Sequence, residues 1–451
     1  MPSLTFKCCR LALAGGLGMW GLVFQGLALA QPVGEVEFAR GAGFAQSSNQ
    51  SPRILGRGVA LNEGDRLTTA EGASAILKLN DGTRMTVRPN SEIVIEQFKF
   101  RENASDNSFV MQLLRGGLRA ITGLIAKTSP DAARLRTSTA TIGIRGTDFD
   151  ARLCASDCAA ESTRVVETPR PNAVQASAKL VGVQGEIMAV ESSGARRRLV
   201  NGASVYPGEV VETGTAARGV LAFRDESRLT LGGASRFRID SFVFDEKNPS
   251  EGRFLMSLLR GSLRALTGLI GKSNNRNVAF TTPTATIGIR GTGLDLDCTA
   301  EADCRVYTWQ GIVEVTPNGQ APLPLLQAGQ GVVVGAGGVR PLATPPLESL
   351  PRPDGVQVDT RQLFETASVA DNEPGLFVFV REGHIEITSA RETLHLGKGE
   401  TGFAGTNGSI SRPILTPLFI EFDQTPMPSS VNPLRLSVLS DVGSRTSNQC
   451  R

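Results

Sequence analysis

Two close cysteine pairs are the residues in this 451-residue chain whose type and spacing most readily suggest chemistry. The pairs are Cys154 with Cys158 and Cys298 with Cys304. Paired cysteines form disulfides in an oxidising compartment or ligate zinc. A zinc site needs further ligands, and the only histidines, His384 and His395, lie far along the chain. We expect two local disulfides, no metal, and a fifth late cysteine, Cys450, that is free or pairs with another chain.

Each cysteine pair follows a copy of the same eight residues, ATIGIRGT, at 140–147 and 285–292. Arg145 and Arg290 stand inside these apolar, glycine-rich segments. In one interpretation each arginine satisfies carbonyl groups at a bulge or a module junction, because a charge in a core strand must be paired. The glycines that would supply the bulge or a close backbone approach are Gly143, Gly146, Gly288 and Gly291.

In the second interpretation the octapeptide is a binding element. Its arginines would then hold a ligand carboxylate or a partner's backbone. The candidate binding residues are Arg145, Thr147, Arg290, Thr292 and, in the L-R-A segments, Arg119 and Arg264. The structural interpretation is favoured, and the binding one stays open.

The remaining polar residues do not predict catalysis. Asp150 and Asp295 occupy matching positions, but a calcium site needs more oxygen ligands, so a hydrogen-bonded surface role is expected. The repeated segments contain no histidine, and the chain has no G-x-S-x-G elbow. We therefore expect no enzyme and no cofactor. Residues 196–198 are three consecutive arginines, which predict a solvated hairpin loop. In the alternative interpretation these arginines contact the anionic cell envelope.

The N-terminus is predicted to be a secretory signal peptide, and the alternative is an uncleaved membrane anchor, because the apolar stretch is near the lower length limit for spanning. Lys7 and Arg10 precede an apolar stretch that ends in Ala28-Leu29-Ala30, which predicts cleavage between Ala30 and Gln31. No later segment is apolar enough to span a membrane, so the mature chain is expected to be periplasmic. A formal net charge of +3 gives no reason to expect a nucleic-acid partner.

The chain repeats far more than the octapeptide. LLRGGLRAITGLIAK at 113–127 matches LLRGSLRALTGLIGK at 258–272, and the similarity extends back to G-E-hydrophobic openings at 33–41 and 183–194. A long repeat in register means one structural unit used twice. Alternating apolar residues around turn dipeptides such as Asp81-Gly82 predict strands and tight hairpins.

Two local predictions concern turns. In 113–127 and 258–272 the Gly-Gly and Gly-Ser dipeptides favour hairpin turns over a basic amphipathic helix, with one helical turn at GLIAK or GLIGK. The second copy has Asp225-Glu226-Ser227 where the first has Asp81-Gly82. Without the glycine, that turn is predicted to differ in geometry.

A related half-unit returns at 375–403, where Gly383 aligns with Gly311 and Gly399-Glu400 with Gly329-Gln330. The sequence thus predicts an all-β chain of two tandem β-modules, sandwich-like or coiled as a short solenoid, plus a smaller C-terminal β half-module. The predicted segments are a signal peptide (1–30), module 1 (31–180), module 2 (181–340), a proline-rich linker (341–370), the half-module (371–412) and a Pro/Ser-rich tail (413–451).

The order G-E-V, D-G-T, L-x-G-x-L-R and T-x-x-A-T-I-G-I-R-G-T resembles the FecR domain, the extracytoplasmic module of iron-dicitrate sensor and regulator proteins. The resemblance covers roughly 33–150 and 183–335. It implies an all-β, non-catalytic module outside the cytoplasm that receives a signal from an outer-membrane transporter. This chain shows neither the N-terminal cytoplasmic domain nor the internal membrane helix of those regulators, so it is not expected to relay a signal across the membrane alone.

These features predict a periplasmic sensor or adaptor. Its expected partner is an envelope protein, either an outer-membrane transporter or an inner-membrane signalling protein, bound through exposed strand edges or grooves between modules. The alternative is a structural or polysaccharide-binding protein of the cell wall, because tandem β-repeats also make extended binding surfaces. The sequence leaves the oligomeric state open.

Overall fold

The computed structural model describes residues 31–421 except residues 49, 130, 156, 166, 173, 301 and 302. The predicted signal peptide, most of the predicted tail and Cys450 lie outside the described residues. Within them the strands form two 15-stranded sheets, which confirms the predicted all-β, two-module fold. No helix in this described part is long and apolar enough to cross a membrane.

The first half of the chain supplies eleven strands of sheet 1 and two short helices. They are β1 (Gly34–Arg40), β2 (Gly43–Gln46), β3 (Arg53–Ile54), β4 (Ala60–Leu61), β5 (Arg66–Thr69), β6 (Ser74–Leu79), β7 (Arg84–Val87), β8 (Glu92–Lys99), β9 (Ser108–Ile121), α1 (Leu124–Thr128), β10 (Ala133–Arg136), β11 (Thr141–Cys154) and α2 (Cys158–Ser162).

Sheet 2 is formed by consecutive strands of the next part of the chain, which also contains short 3₁₀ turns at Pro249–Glu251 and Asn275–Asn277. Its elements are β12 (Ala178–Gln184), β13 (Ile187–Val190), β14 (Arg196–Leu199), β15 (Ser204–Val205), β16 (Val210–Thr213), β17 (Arg218–Phe223), β18 (Arg228–Leu231), β19 (Arg236–Val243), β20 (Arg253–Leu266), α3 (Leu269–Ser273), β21 (Val278–Thr281), β22 (Ala285–Ala300), β23 (Asp303–Pro317), β24 (Leu326–Gln327), β25 (Gln330–Gly335) and β26 (Gly338–Leu342).

The last strands of the chain return to sheet 1. After a 3₁₀ turn at Pro353–Gly355, the elements are α4 (Thr360–Phe364), β27 (Gly375–Thr388), β28 (Thr393–Gly397), β29 (Thr401–Gly405), β30 (Ile410–Ser411) and α5 (Leu418–Glu421). We call β1–β11 with β27–β30 the first module, and β12–β26 the second module. The second module is thus inserted into the first.

The two sheets have the same strand order. Sheet 1 runs β3-β2-β5-β8-β9-β10-β11-β27-β29-β30, and sheet 2 runs β14-β13-β16-β19-β20-β21-β22-β23-β25-β26. Strand β27 therefore lies beside β11 as β23 lies beside β22. The aligned glycines explain the fit, because a Cβ on Gly383 or Gly311 would lie 2.4 Å from the carbonyl oxygen of Gly146 or Gly291. The segment predicted as a half-module completes the first sheet.

Each module has its own apolar core. Strands of sheet 1 enclose one cluster of buried side chains that includes residues of β27–β29, and strands of sheet 2 enclose a second. The alternation of buried and exposed residues along the strands generates both cores. A third, smaller cluster on the other side of β27 joins Phe377, Phe403 and Phe419 to the Cys154–Cys158 pair.

The prediction of hairpin turns at Gly116-Gly117 and Gly261-Ser262 was wrong. β9 and β20 continue through these dipeptides as single strands. The glycine serves as a bend instead, since Gly116 has a φ of 76° and a Cβ there would lie 2.3 Å from Ser91 Oγ. At this bend β9 exchanges partners, from β8 to β7 and β11. The predicted helical turns at GLIAK and GLIGK are present as α1 and α3.

The turn at Asp225-Glu226-Ser227 was also predicted wrongly, because it keeps the geometry of its glycine-containing counterpart. Glu226 has a φ of 68°, in the region where Gly82 has 86°. In both turns the aspartate carboxylate accepts hydrogen bonds from the backbone N–H and the hydroxyl two residues later, on Thr83 and Ser227. These side-chain bonds hold Glu226 in an unfavourable conformation.

Replacing Glu226 with glycine should therefore stabilise the protein. Relief of the left-handed backbone is offset in part by the greater freedom of glycine in the unfolded chain, leaving about 0.5 kcal/mol. The reverse change at the matching position, Gly82→Glu, should destabilise by about 1 kcal/mol, since open space surrounds Gly82 and only the backbone opposes the new side chain. Thermal unfolding of both variants tests this. Equal midpoints for Glu226→Gly, Gly82→Glu and wild type would contradict it.

Candidate functional site

Both octapeptides form bulged segments of long strands. Gly146 and Gly291 have φ values of 62° and 63°, and the pairing of β11 with β27 and of β22 with β23 shifts register there. A positive φ at a register shift is the geometry of a glycine bulge. Gly143 and Gly288 differ from this expectation, because a Cβ there would meet only Glu386 or Glu314 at an ordinary 3.7 Å.

The octapeptide arginines are held by carboxylates. Arg145 contacts Glu386 at 3.0 Å and Asp131 at 3.2 Å, and Arg290 contacts Glu314 at 3.0 Å. Each main partner lies on the neighbouring strand. Arg145 is mostly buried, whereas the Arg290 side chain is 45% exposed and the more accessible of the two.

The predicted threonines and the L-R-A arginines also have protein partners. The backbone N–H groups of Thr147 and Thr292 donate to the hydroxyls of Thr122 and Thr267, which ties the bulge to the end of the long strand beside it. Because these bonds occur in both modules, they belong to the repeated scaffold.

Arg119 contacts Asp148 at 3.2 Å, and Arg264 contacts Asp295 at 2.9 Å. Arg264 also donates to the carbonyls of Leu347 and Leu350, so it fixes the segment that follows the second module. These two arginines are buried and do not meet the octapeptide arginines in one site.

Asp150 and Asp295 are fully buried rather than on the surface. Asp150 accepts a hydrogen bond from Arg381 at 2.7 Å. Burial nevertheless dominates, raising the pKa of Asp150 to about 6 against the lowering effect of Arg381 and Arg119. Its full burial within β11 and its pairing with Arg381 indicate a structural carboxylate.

Both predicted disulfides are present. Cys154 and Cys158 have their Cα atoms 5.6 Å apart, and Cys298 and Cys304 have theirs 4.3 Å apart. The second joins the ends of β22 and β23, as expected for a hairpin, whereas the first joins β11 to α2. Such bonds are typical of an oxidising compartment.

One candidate site is a cleft between the two modules, which we call the intermodule cleft. It has a volume of about 390 Å³, within the range of small-ligand pockets. One wall comes from the β13–β14 hairpin and the β15–β16 turn of the second module. The other comes from β27 and the β28–β29 turn of the first. The lining residues are Gln175, Glu191, Ser192, Arg197, Tyr206, Pro207, Gly208, Glu209, Glu382, Gly383 and Lys398.

Ion pairs line both walls of the cleft. Arg197 contacts Glu209 at 2.7 Å and lies over the ring of Tyr206, 5.5 Å from its centroid. Across the cleft, Lys398 contacts Glu382 at 2.5 Å, and both are about half exposed. The predicted loop at 196–198 is in fact strand β14 at the edge of sheet 2. Only Arg197 of the three arginines faces the cleft.

A buried group of three charges joins the modules beside the cleft; we call it the buried triad. Lys179 of β12 and Arg412 of the C-terminal segment contact the same oxygen of Glu400, at 3.1 and 3.0 Å, and all three side chains are almost fully buried. Lys179 and Arg412 also donate to the carbonyl of His395. The triad links the inserted module to the strands that complete the first one.

The protonation of the triad follows from its burial. Burial lowers the pKa of Lys179 to about 8, although Glu400 opposes the shift. Burial alone would favour neutral Glu400, but the two adjacent cations outweigh it and lower the pKa of its carboxyl. Glu400 is therefore ionised at neutral pH.

The two histidines of the chain meet at the same junction. His384 Nε2 and His395 Nδ1 lie 3.4 Å apart, with the rings stacked and their centroids 5.4 Å apart. The His395 ring also lies against Gly202 of the second module, where a Cβ would be 2.2 Å from it. Burial lowers the pKa of His395 to about 4 and that of His384 well below its usual value.

Sequence reasoning missed this junction, although two signals were visible. Glu400 was aligned with Gln330, and a charged residue in place of a neutral one marks a difference between the copies. Lys179 within the apolar run of β12 was a second signal. Lys179 and Glu400 lie 221 residues apart, so no local pattern connects them.

The charges and polar groups of the cleft suit the binding of a polar ligand. The described residues include no group of three or more His, Cys, Asp or Glu side chains that could hold a metal ion. The cleft offers paired charges of both signs, one aromatic ring and polar side chains from two modules. Such a surface can recognise a polar ligand or peptide that carries charges of its own.

Comparison with known proteins gives one family. The sequence model described as FecR protein matches residues 65–168 and 209–314, one match in each half of the repeat. No curated protein matches the chain.

Two crystal structures of a proposed anti-sigma factor from Parabacteroides distasonis ATCC 8503, at 1.65 and 2.50 Å resolution, resemble part of the chain. Each shares 14% identity with a TM-score of 0.25, and the match covers 30% of this chain and 60% of that protein. At this TM-score the likeness does not establish a common fold.

Proposed function

Because the chain carries two FecR domains in tandem, at 65–168 and 209–314, we propose that it is an exported, non-enzymatic sensor or adaptor in envelope signalling. In this proposal it works in the periplasm and binds a protein partner or its ligand at the intermodule cleft. The two disulfides support the compartment, since such bonds persist in oxidising surroundings.

The observation that carries the proposal is that both modules contribute to one cleft. Arg197 and Tyr206 of the second module face Glu382 and Lys398 of the first. A bound segment therefore contacts both modules at once. Binding energy that depends on both walls couples the ligand to the arrangement of the modules, as a sensor requires.

A free strand edge beside the cleft supports peptide binding. Among the described strands, β14 pairs only with β13. Its outer edge thus offers backbone donors and acceptors to an extended segment, which could add as a further strand. Side chains of that segment would reach the cleft next to Arg197.

Site-specific photo-cross-linking in cells tests the proposal. A photoreactive residue at Ser192, on the exposed cleft wall, should capture a discrete envelope protein that mass spectrometry can identify. The same residue at Gln320, in an exposed turn of the second module away from the cleft lining, should not capture it. Changing Glu382 and Lys398 together to alanine should reduce capture at Ser192, because both line the cleft and their exposure lets the fold tolerate the change.

The opposite results would favour a different function. Capture of the same proteins at Ser192 and Gln320, or of none, would contradict binding at the cleft. If the purified protein then co-sediments with cell wall freed of other proteins, the structural or polysaccharide-binding alternative replaces the adaptor.

Octapeptide variants give a further check. Arg145→Ala with Arg290→Ala should leave the captured partner unchanged, since both arginines are paired with carboxylates outside the cleft lining.

A further inference from the structure

The outward face of one end of sheet 2 carries five arginines; we call it the arginine face. It spans the adjacent strands β14, β13, β16, β19 and β20. The arginines are Arg196, Arg198, Arg236, Arg238 and Arg260, all exposed. Strand register places Arg198 opposite Met188, Met188 opposite Glu212, Glu212 opposite Arg236 and Arg236 opposite Arg260. This row crosses five strands, a width of about 19 Å.

Carboxylates on the same face offset only part of the charge. Glu212 lies between Arg196 and Arg236, at 2.7 and 2.9 Å, and Asp240 contacts Arg238 at 2.5 Å. Among the described residues, the side chains of Arg198 and Arg260 have no hydrogen bond or ion pair. Two carboxylates against five guanidinium groups leave three positive charges on one face of a chain whose total is +3.

The fold does not require most of these arginines, because the first module has the same face with only one of them. Strand pairing matches residues of the two modules. The cross-strand pair Phe44–Ile54 of the first module corresponds to Met188–Arg198 of the second, and Glu92–Arg115 corresponds to Arg236–Arg260. The residues of the first module at the five arginine positions are Pro52, Ile54, Glu92, Val94 and Arg115. One arginine in five is retained. The positive charge of this face therefore differs between two modules that share the same strand arrangement.

We propose that the arginine face is a docking surface for an anionic lipid bilayer. Its guanidinium groups lie in two rows across one face of the sheet, Arg198–Arg236–Arg260 and Arg196–Arg238, so several of them can contact headgroup phosphates together. Guanidinium binds two phosphate oxygens at once, which an ammonium cannot do with the same geometry. Exposed Leu259, beside Arg260, adds an apolar side chain that can enter the interface.

The acidic residues near this face set its limit. Asp245 and Glu246 follow the end of β19, so the basic surface stops there. Basic residues at an anionic surface each contribute a modest attraction that salt screens. The interaction is therefore reversible, strongest at low ionic strength, and separate from partner binding at the cleft.

Vesicle co-sedimentation with a matched control tests this docking surface. The purified protein should bind vesicles of phosphatidylglycerol and phosphatidylcholine in a one-to-two ratio, and should not bind phosphatidylcholine alone. Arg198→Glu with Arg260→Glu should weaken binding at least tenfold. The control is Ile54→Glu with Arg115→Glu, which adds negative charge at the matching positions of the first module and should leave binding within twofold. Circular dichroism of both variants verifies folding.

Three outcomes would overturn the proposal. The first is equal loss in the two double variants, which would mean non-specific attraction to the whole chain. The second is equal binding to both kinds of vesicle. The third is capture by soluble polyglutamate without binding to phosphatidylglycerol vesicles, which would assign the arginine face to an acidic protein. None of these results depends on partner capture at Ser192, so this proposal and the adaptor function fail separately.

Discussion

Replacing Glu400 with glutamine should destabilise the protein by about 3 kcal/mol, the cost of leaving buried cations without their anion. Lys179 and Arg412 share one oxygen of Glu400, and the side chains of all three are at most 1% exposed. Glutamine keeps the size of the side chain but removes the charge. Urea unfolding followed by circular dichroism at pH 7 measures the loss.

The reason for a limit near 3 kcal/mol is that Lys179 can lose its proton. Its pKa is already lowered to about 8, so removal of the neighbouring anion should bring neutral lysine within reach at pH 7. Arg412 cannot neutralise in this way. It keeps the carbonyls of Gln362 and His395 as partners, which limits its share of the cost.

Two comparisons separate the triad from an ordinary ion pair. Glu314→Gln breaks the exposed contact with Arg290 and should cost less than about 1 kcal/mol. Lys179→Met with Glu400→Gln should recover about half of the loss, because the added methionine replaces a buried cation by an apolar side chain. If Glu400→Gln costs no more than Glu314→Gln, the triad does not hold the modules together.

The sequence predicted the repeated part of this molecule well because the repeat is local and in register. Alignment of Gly383 with Gly311 anticipated that 375–403 resembles the end of the second unit. It did not show that this segment closes the first sheet, since strand pairing across more than two hundred residues leaves no local pattern. The duplication itself contained a hint, because the first unit lacked strands that the second possessed.

The errors have physical causes in single residues. Gly116-Gly117 has the composition of a hairpin turn, but close packing against Ser91 makes the same pair a bend within β9. Asp225-Glu226-Ser227 lacks a glycine, yet side-chain hydrogen bonds to Asp225 impose the positive φ. In both places tertiary contacts overrode the local preference.

The candidate site was the least predictable part. Arg145 and Arg290 stood out in the sequence because they interrupt apolar strands, and the structure gives each a carboxylate on the adjacent strand. The residues of the intermodule cleft have no special spacing. They come together only because one module is inserted in the other, which composition and periodicity do not reveal.

Acidification should weaken the same junction through its two histidines. The pKa of His395 is about 4 in the folded protein, below the value of about 6.5 expected in the unfolded chain. Between these values the unfolded state binds more protons, so the histidine's contribution is complete above pH 6.5 and is lost as the pH falls towards 4. His384, with its pKa also lowered by burial, acts in the same direction.

The expected loss from His395 alone is about 2 kcal/mol between pH 7 and pH 5, from one and a half pH units at 1.36 kcal/mol each. Other charges near the ring modify this value: Glu386 favours the protonated form, whereas Lys179, Arg145 and Arg412 oppose it. Asp150 acts against the histidines. Its pKa of about 6 lets the folded state take up a proton first, which adds stability as the pH falls from 6 towards 4.

Because Asp150 and the histidines have opposite effects, the total pH dependence is not a clean test, but a difference between variants is. Unfolding free energies of wild type and His395→Gln at pH 7 and pH 5 isolate the histidine. The wild type should lose about 2 kcal/mol more than the variant over this interval. Equal losses would mean that His395 titrates normally and that the ring is not buried at the junction. A smaller difference that grows when His384→Gln is added would instead mean that the two rings share one proton.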